Sequence, residues 1–105
     1  MAWHFRGTIS GVAYSEAQNL PMNVNSFLVV NNIGSPVEVN VFIYNQLQAT
    51  RLMPRDKQLD SGESYESTRQ VVMLPTEILV VQSTGSVDYD FYIDNMAITE
   101  NNISV

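Results

Sequence analysis

The chain has 105 residues, enough for one hydrophobic core and not for two. Its formal net charge is −6, from five Lys and Arg against eleven Asp and Glu, and it has no cysteine. That balance opposes the positive field needed to hold nucleic acid or an anionic membrane, and the missing thiols exclude a disulfide scaffold, thiolate metal sites and a cysteine nucleophile.

Along the chain the dominant period is two residues, the signature of strands. The pattern predicts strands near 4–10, 26–31, 37–44, 49–53, 64–67, 70–73, 78–82 and 87–94, with a short final strand at 96–99. Residues 11–25 are the least regular, with one helical turn at most before Pro21. Phe27–Val30 is apolar on both faces and predicts a central strand covered on both sides. Asn31-Asn32-Ile33-Gly34-Ser35-Pro36 is turn chemistry leading into the next strand, where Val37, Val39, Val41 and Ile43 share one face. Pro54 to Gly62 reads as a polar loop turning at Ser61-Gly62, and Leu74-Pro75-Thr76 breaks a later pair. Ile78–Val81 is again apolar on both faces and predicts a second central strand covered on both sides. Ser83-Thr84-Gly85-Ser86 predicts a hairpin into the last long strand, in which Val87, Tyr89, Phe91 and Ile93 alternate with Asp88, Asp90, Tyr92 and Asp94. Short strands at this spacing predict an all-β protein, an antiparallel sandwich of about eight short strands with immunoglobulin-like or jelly-roll-like topology. We expect a single domain over 1–105, with 1–25 an N-terminal arm and 100–105 a mobile tail. No stretch approaches the roughly 20 apolar residues of a membrane-spanning helix.

The residues offer little chemistry. His4 is the sole histidine, and no Gly-x-Ser-x-Gly elbow accompanies it, so a serine triad has no foundation. Asp88, Asp90 and Asp94 share a strand face with neighbours about 7 Å apart. Glycosidase carboxylates sit at about 5–9.5 Å, but one must be buried to raise its pKa, and an alternating acidic face belongs in solvent. The same three aspartates are a weak Ca²⁺ candidate, since calcium takes several oxygen ligands, usually from tight loops. Four of the five cations fall within 51–69, among Asp56, Asp60, Glu63 and Glu66, so this stretch reads as a loop with internal ion pairs. We therefore expect no enzyme activity, no cofactor and no metal. The aromatic residues say more. Phe42 and Tyr44 oppose the valine face of their strand, Tyr92 sits among the aspartates, and Trp3, Phe5 and Tyr14 lie towards the N-terminus. These six are the expected protein-interface residues, because aromatics with few charges around them mark an interface or a sugar platform unless a second layer covers them.

One extended pattern runs from Phe27 to about Thr99. It comprises Leu28-Val29-Val30-Asn31-Asn32, then Gly34-Ser35-Pro36-Val37-Glu38-Val39-Asn40-Val41-Phe42-Ile43-Tyr44. Met53-Pro54, Leu59-Asp60-Ser61-Gly62-Glu63-Ser64, Val72-Met73-Leu74-Pro75 and Ile78-Leu79-Val80-Val81-Gln82-Ser83 follow, and Val87-Asp88-Tyr89-Asp90-Phe91-Tyr92-Ile93 closes it. This resembles the small β-sandwich structural proteins of tailed bacteriophages, of the capsid decoration (cement), neck or tail-attachment type. Tyr65 and Pro75-Thr76-Glu77 depart from that pattern. The resemblance implies a non-enzymatic virion protein, present in repeated copies or as a homo-oligomer. Its partners would be other virion proteins: major capsid, portal, neck or tail components. A carbohydrate-binding, lectin-like sandwich is the alternative.

Overall fold

The computed structural model describes residues 2–95. Eight strands form one antiparallel sheet: β1 (Ala2–Tyr14), β2 (Met22–Asn31), β3 (Val37–Tyr44), β4 (Ala49–Arg51), β5 (Lys57–Leu59), β6 (Ser64–Ser67), β7 (Val71–Met73) and β8 (Ile78–Asn95). The fold is all-β and antiparallel, with the sheet curled on itself into a half-barrel. The expected strand at 96–99 and the expected tail at 100–105 lie outside the described residues.

β8 organises the fold. Its first part, Ile78 to Ser83, pairs with β3; its second part, Val87 to Asn95, pairs with β2. Along its other edge β1 follows both parts. The sheet thus has two halves joined at a corner around residues 84–86. β4 and β5 extend the β3 half, and β6 and β7 extend the β2 half. Strands that pass from one layer to the next through a bend are how such corners are built.

This corrects the hairpin expected at Ser83-Thr84-Gly85-Ser86. The chain bends there without reversing. At that point β8 passes from Ser83 to Val87 while β1 passes only from Gly11 to Ile9, so β8 carries two residues more than β1 through the bend. The turn residues serve the bend. Ser83 Oγ donates to the Gly85 carbonyl (2.6 Å) and accepts from the Gly85 amide (3.3 Å). Thr84 Oγ1 accepts the amide of Glu38 at 2.9 Å. Gly85 also permits close packing: a Cβ there would stand 2.7 Å from Val37 Cγ1 and 2.9 Å from Ile33 Cδ1. β1 follows the corner through Gly11, whose φ of +116° is open to glycine.

The N-terminal segment 1–25 is not an arm. Residues 2–14 form β1, paired along β8, and residues 22–25 begin β2. The helical turn allowed at 15–20 does not form.

The inner faces of the two halves share one core. Val37, Val39, Val41, Ile43, Leu79 and Val81 come from the β3 half; Met22, Val24, Phe27, Val29, Val87, Phe91 and Ile93 come from the β2 half. Phe91, fully buried, stacks on Phe27 with centroids 5.0 Å apart and meets Phe5 at 5.7 Å. Burying a side chain of this kind contributes about 1.5–3 kcal/mol. Met22, Met53 and Met73 fill the remaining core space. A bulge at Asn25 shifts the phase of β2, so Met22 and Val24 point inward before it and Phe27 and Val29 after it. Leu28 is exposed and Val30 half-buried, so β2 is central in the sheet but covered on one face only. That corrects the expectation of two covered faces.

One buried polar side chain pins the corner. Asn31 Nδ2 donates to the carbonyls of Ser35 (2.8 Å) and Leu59 (3.0 Å), and its Oδ1 accepts the Ile33 amide (3.0 Å). Its backbone bonds to Glu63 and Gly62. The side chain thus replaces water for three backbone groups, two in the β2–β3 turn and one at the end of β5. The turn at Ser61-Gly62 forms as expected, with Gly62 at φ +78°.

Candidate functional site

The outer faces of the two halves differ in chemistry. On the β2 half, Thr8 and Asn32 donate to Asp88, and His4 Nδ1 lies 2.6 Å from Asp90 Oδ1. Tyr92 sits beside His4 with ring centroids 5.3 Å apart. The acidic face is therefore solvated and tied to polar side chains of β1 and of the corner. Among the described residues no group of three or more His, Asp or Glu side chains is gathered to hold a metal ion, so Asp88, Asp90 and Asp94 do not converge on one point. They stay in line along β8, as the pleat of a strand dictates.

On the β3 half the outer face carries an apolar patch towards Ile78 and Tyr44. Register places Tyr14, Val80, Phe42 and Arg51 in one row across four strands, with Ile78 and Tyr44 in the next. The Arg51 guanidinium lies 5.3 Å from the Phe42 ring centroid and donates to Asn40 Oδ1 at 2.6 Å. Phe42 is half-buried beneath it, while Tyr44 and Tyr14 are exposed, Tyr14 at 65%. Val80, between Tyr14 and Phe42 in that row, is only 4% exposed. Asn40 also joins Asp56 through both its amide and its carbonyl, fixing the loop after β4.

The six aromatic residues expected at an interface thus divide three ways. Tyr14, Phe42 and Tyr44 come together. Tyr92 stands on the other half. Trp3 and Phe5 face inward and pack on the margin of the core, Phe5 at 5.0 Å from the ring of Tyr89. Burial of the Tyr89 hydroxyl pushes its pKa above the ordinary tyrosine value.

A further group was not singled out from the sequence. The end of the half-barrel opposite the corner carries the loops 15–21, 45–48 and 74–77. These loops are tied together. The Thr76 amide donates to the Gln18 carbonyl (2.8 Å), Asn45 Nδ2 to Glu77 Oε2 (3.2 Å), and the Ser15 amide to the Leu79 carbonyl (3.0 Å). Each loop presents a leucine to solvent: Leu20, Leu47 at 93% exposure, and Leu74 at 57%. Gln46 and Thr76, neither of them glycine, hold φ of 69° and 72° in these loops. Backbone strain of this kind costs about 1–3 kcal/mol and persists where the surroundings impose it. With Tyr14 and Tyr44 at the strand ends beside them, this open end gathers five exposed large apolar side chains. The available signal was a leucine in each of three segments whose other residues are turn formers: Asn19-Leu20-Pro21, Asn45-Gln46-Leu47-Gln48 and Leu74-Pro75-Thr76. Sequence alone does not say that three such loops meet.

No family model matches the chain, and no curated protein matches it. Among solved structures, a structure of infectious bursal disease virus, Gx strain, is similar over 88% of this chain, with 14% identity and a TM-score of 0.45. The chain spans 30% of the length of that viral chain.

Proposed function

We propose that the protein is a non-enzymatic structural component of a virus particle, docking on other virion proteins as a capsid decoration or neck subunit of a phage. The observation that supports this reading most is the open end: Leu20, Leu47 and Leu74 exposed on hydrogen-bonded loops, with Tyr14 and Tyr44 exposed at the strand ends beside them. Exposed apolar groups clustered at one end of a low-charge domain suit burial against another protein. The net charge of −6 directs that docking to protein and away from nucleic acid. The sequence pattern from Phe27 to Thr99 supplies the virion context.

The test is mass spectrometry on gradient-purified particles from the source of the chain, measuring its copies against the major shell protein. Hundreds of copies mean shell decoration, and about a dozen mean a neck or tail component. Particles lacking the protein overturn the reading. Leu47→Asp with Leu74→Asp should give a folded protein that no longer incorporates.

The outer face of the β3 half favours one second reading. Gln82 and Asn40 lie in the row next to Tyr14 and Phe42, and aromatic rings beside amides form a sugar platform. Saccharide binding by the isolated protein that Tyr14→Ala abolishes would establish it.

A further inference from the structure

β1 is the longest strand of this fold that is paired on one side only. It pairs with β8 from Ala2 to Tyr14, and no described strand lies along its other edge. The opposite margins of the sheet are guarded. β4, β5, β6 and β7 have three or four residues each, carry Arg51, Lys57 and Glu66, and are interrupted by Pro54. Short, charged, proline-flanked strands are how sheets avoid pairing with another chain. β1 is thirteen residues long. It has no proline and no carboxylate, and its one guanidinium, on Arg6, lies opposite Asp90 within the same chain.

We propose that this edge is a homodimer interface in which β1 pairs antiparallel with β1 of a second copy about a two-fold axis at Thr8. The register follows from side-chain size and charge. Centring on Thr8 uses all thirteen residues of the strand. On the inner face it sets Trp3 against Ala13, Phe5 against Gly11, and Ile9 against Gly7 of the other copy. On the outer face it sets Tyr14 against Ala2, Arg6 against Ser10, and Thr8 against Thr8. Trp3, Phe5 and Tyr14 each meet a small residue, Phe5 covers the edge Gly11, His4 stands against Val12, and the two Thr8 side chains meet on the axis. Centring on Arg6 would oppose two arginines, and centring on Phe5 would oppose His4 and Arg6. Trp3, Phe5 and Ile9 already pack half-buried on the core margin, so the second copy continues that core. Gly7 must stay small, because a Cβ there would stand 3.0 Å from the Tyr89 hydroxyl. The two bends at Gly11 then bound a straight central ladder from Phe5 to Gly11. Self-complementarity of one patch is what a two-fold interface requires.

The chain has no cysteine, so a single introduced thiol reports the register without interference. Opposed Cα atoms on an antiparallel ladder are about 4.5–5.5 Å apart, within disulfide reach. Analytical ultracentrifugation of the full chain should show a species of twice 11.8 kDa. Thr8→Cys should then form a disulfide dimer under mild oxidation, and Val72→Cys, exposed on β7, should not. Ser10→Lys sets two lysine–arginine oppositions into each dimer and should weaken it about ten-fold, whereas Ser10→Thr should not. Circular dichroism confirms that each variant is folded. A monomer at every concentration overturns the proposal. So does a dimer that Thr8→Cys does not cross-link, or one that Ser10→Lys leaves unchanged. None of these failures touches the docking leucines, which lie on the loops 15–21, 45–48 and 74–77 and are tested by particle incorporation.

Discussion

The corner and the open end of this half-barrel invert each other's chemistry. At the corner, polar residues are buried: Asn31 is 1% exposed and Ser83 is 9% exposed, and their hydrogen bonds close the bend. At the open end, apolar residues are exposed, with Leu47 almost entirely in solvent. In both places a residue opposes its expected environment, and the reason differs. A buried amide that satisfies three backbone groups serves the fold, since leaving those groups bare costs about 1–3 kcal/mol each. A leucine on a loop tip satisfies nothing within the chain, so its presence supports a role outside it.

Breaking the corner should therefore unfold the protein, and breaking the open end should not. Asn31→Ala removes three side-chain bonds and strands the Ser35 and Leu59 carbonyls, so urea unfolding should show a loss of about 2–4 kcal/mol. Asn31→Asp should be nearly as damaging, because a carboxylate donates to neither carbonyl. Gly85→Ala should cost about 1–3 kcal/mol through the clash with Val37 and Ile33. Combining it with Val37→Ala should cost less than the sum of the two single changes, since the second makes room for the first. At the open end, Leu47→Asp with Leu74→Asp should leave stability within about 0.5 kcal/mol while abolishing docking. A stability loss as large as that of Asn31→Ala would show that these leucines serve the fold after all.

The smallest effect belongs to Tyr89, which lies in neither region. Its burial favours the neutral phenol, so the folded pKa lies above the unfolded value. The resulting contribution to stability is present below about pH 10 and is lost as pH rises through the folded pKa. Thermal melts of Tyr89→Phe and the parent should diverge in pH dependence only above about pH 10.

Much of the fold was legible along the chain. The alternation Val37, Val39, Val41, Ile43 places four buried side chains on one face of β3, and the alternation from Val87 to Asp94 separates a core face from an acidic one. Both follow from the two-residue period of a strand, which is a local property. The alternation before Tyr14 is weaker, because an edge strand with half-buried residues shows little contrast between its faces. That is why the sequence predicts a strand only near 4–10, within a segment read as an arm, where β1 runs from Ala2 to Tyr14.

Local pattern, then, was enough to specify an all-β antiparallel domain, its core valines and its acidic strand. Tertiary structure alone decided that Ser83-Thr84-Gly85-Ser86 bends one long strand rather than joining two. Serine and glycine permit either path, and the outcome depends on which strands lie opposite: here β1 runs past the bend and holds both sides in one sheet. Tertiary structure also decided that the loops of Leu20, Leu47 and Leu74 share one end. They are far apart in sequence, and hydrogen bonds between them, Thr76 to Gln18 and Asn45 to Glu77, bring those loops to one end. A residue's neighbours along the chain determine its strand face. Only the pairing of distant strands determines which loops share an end.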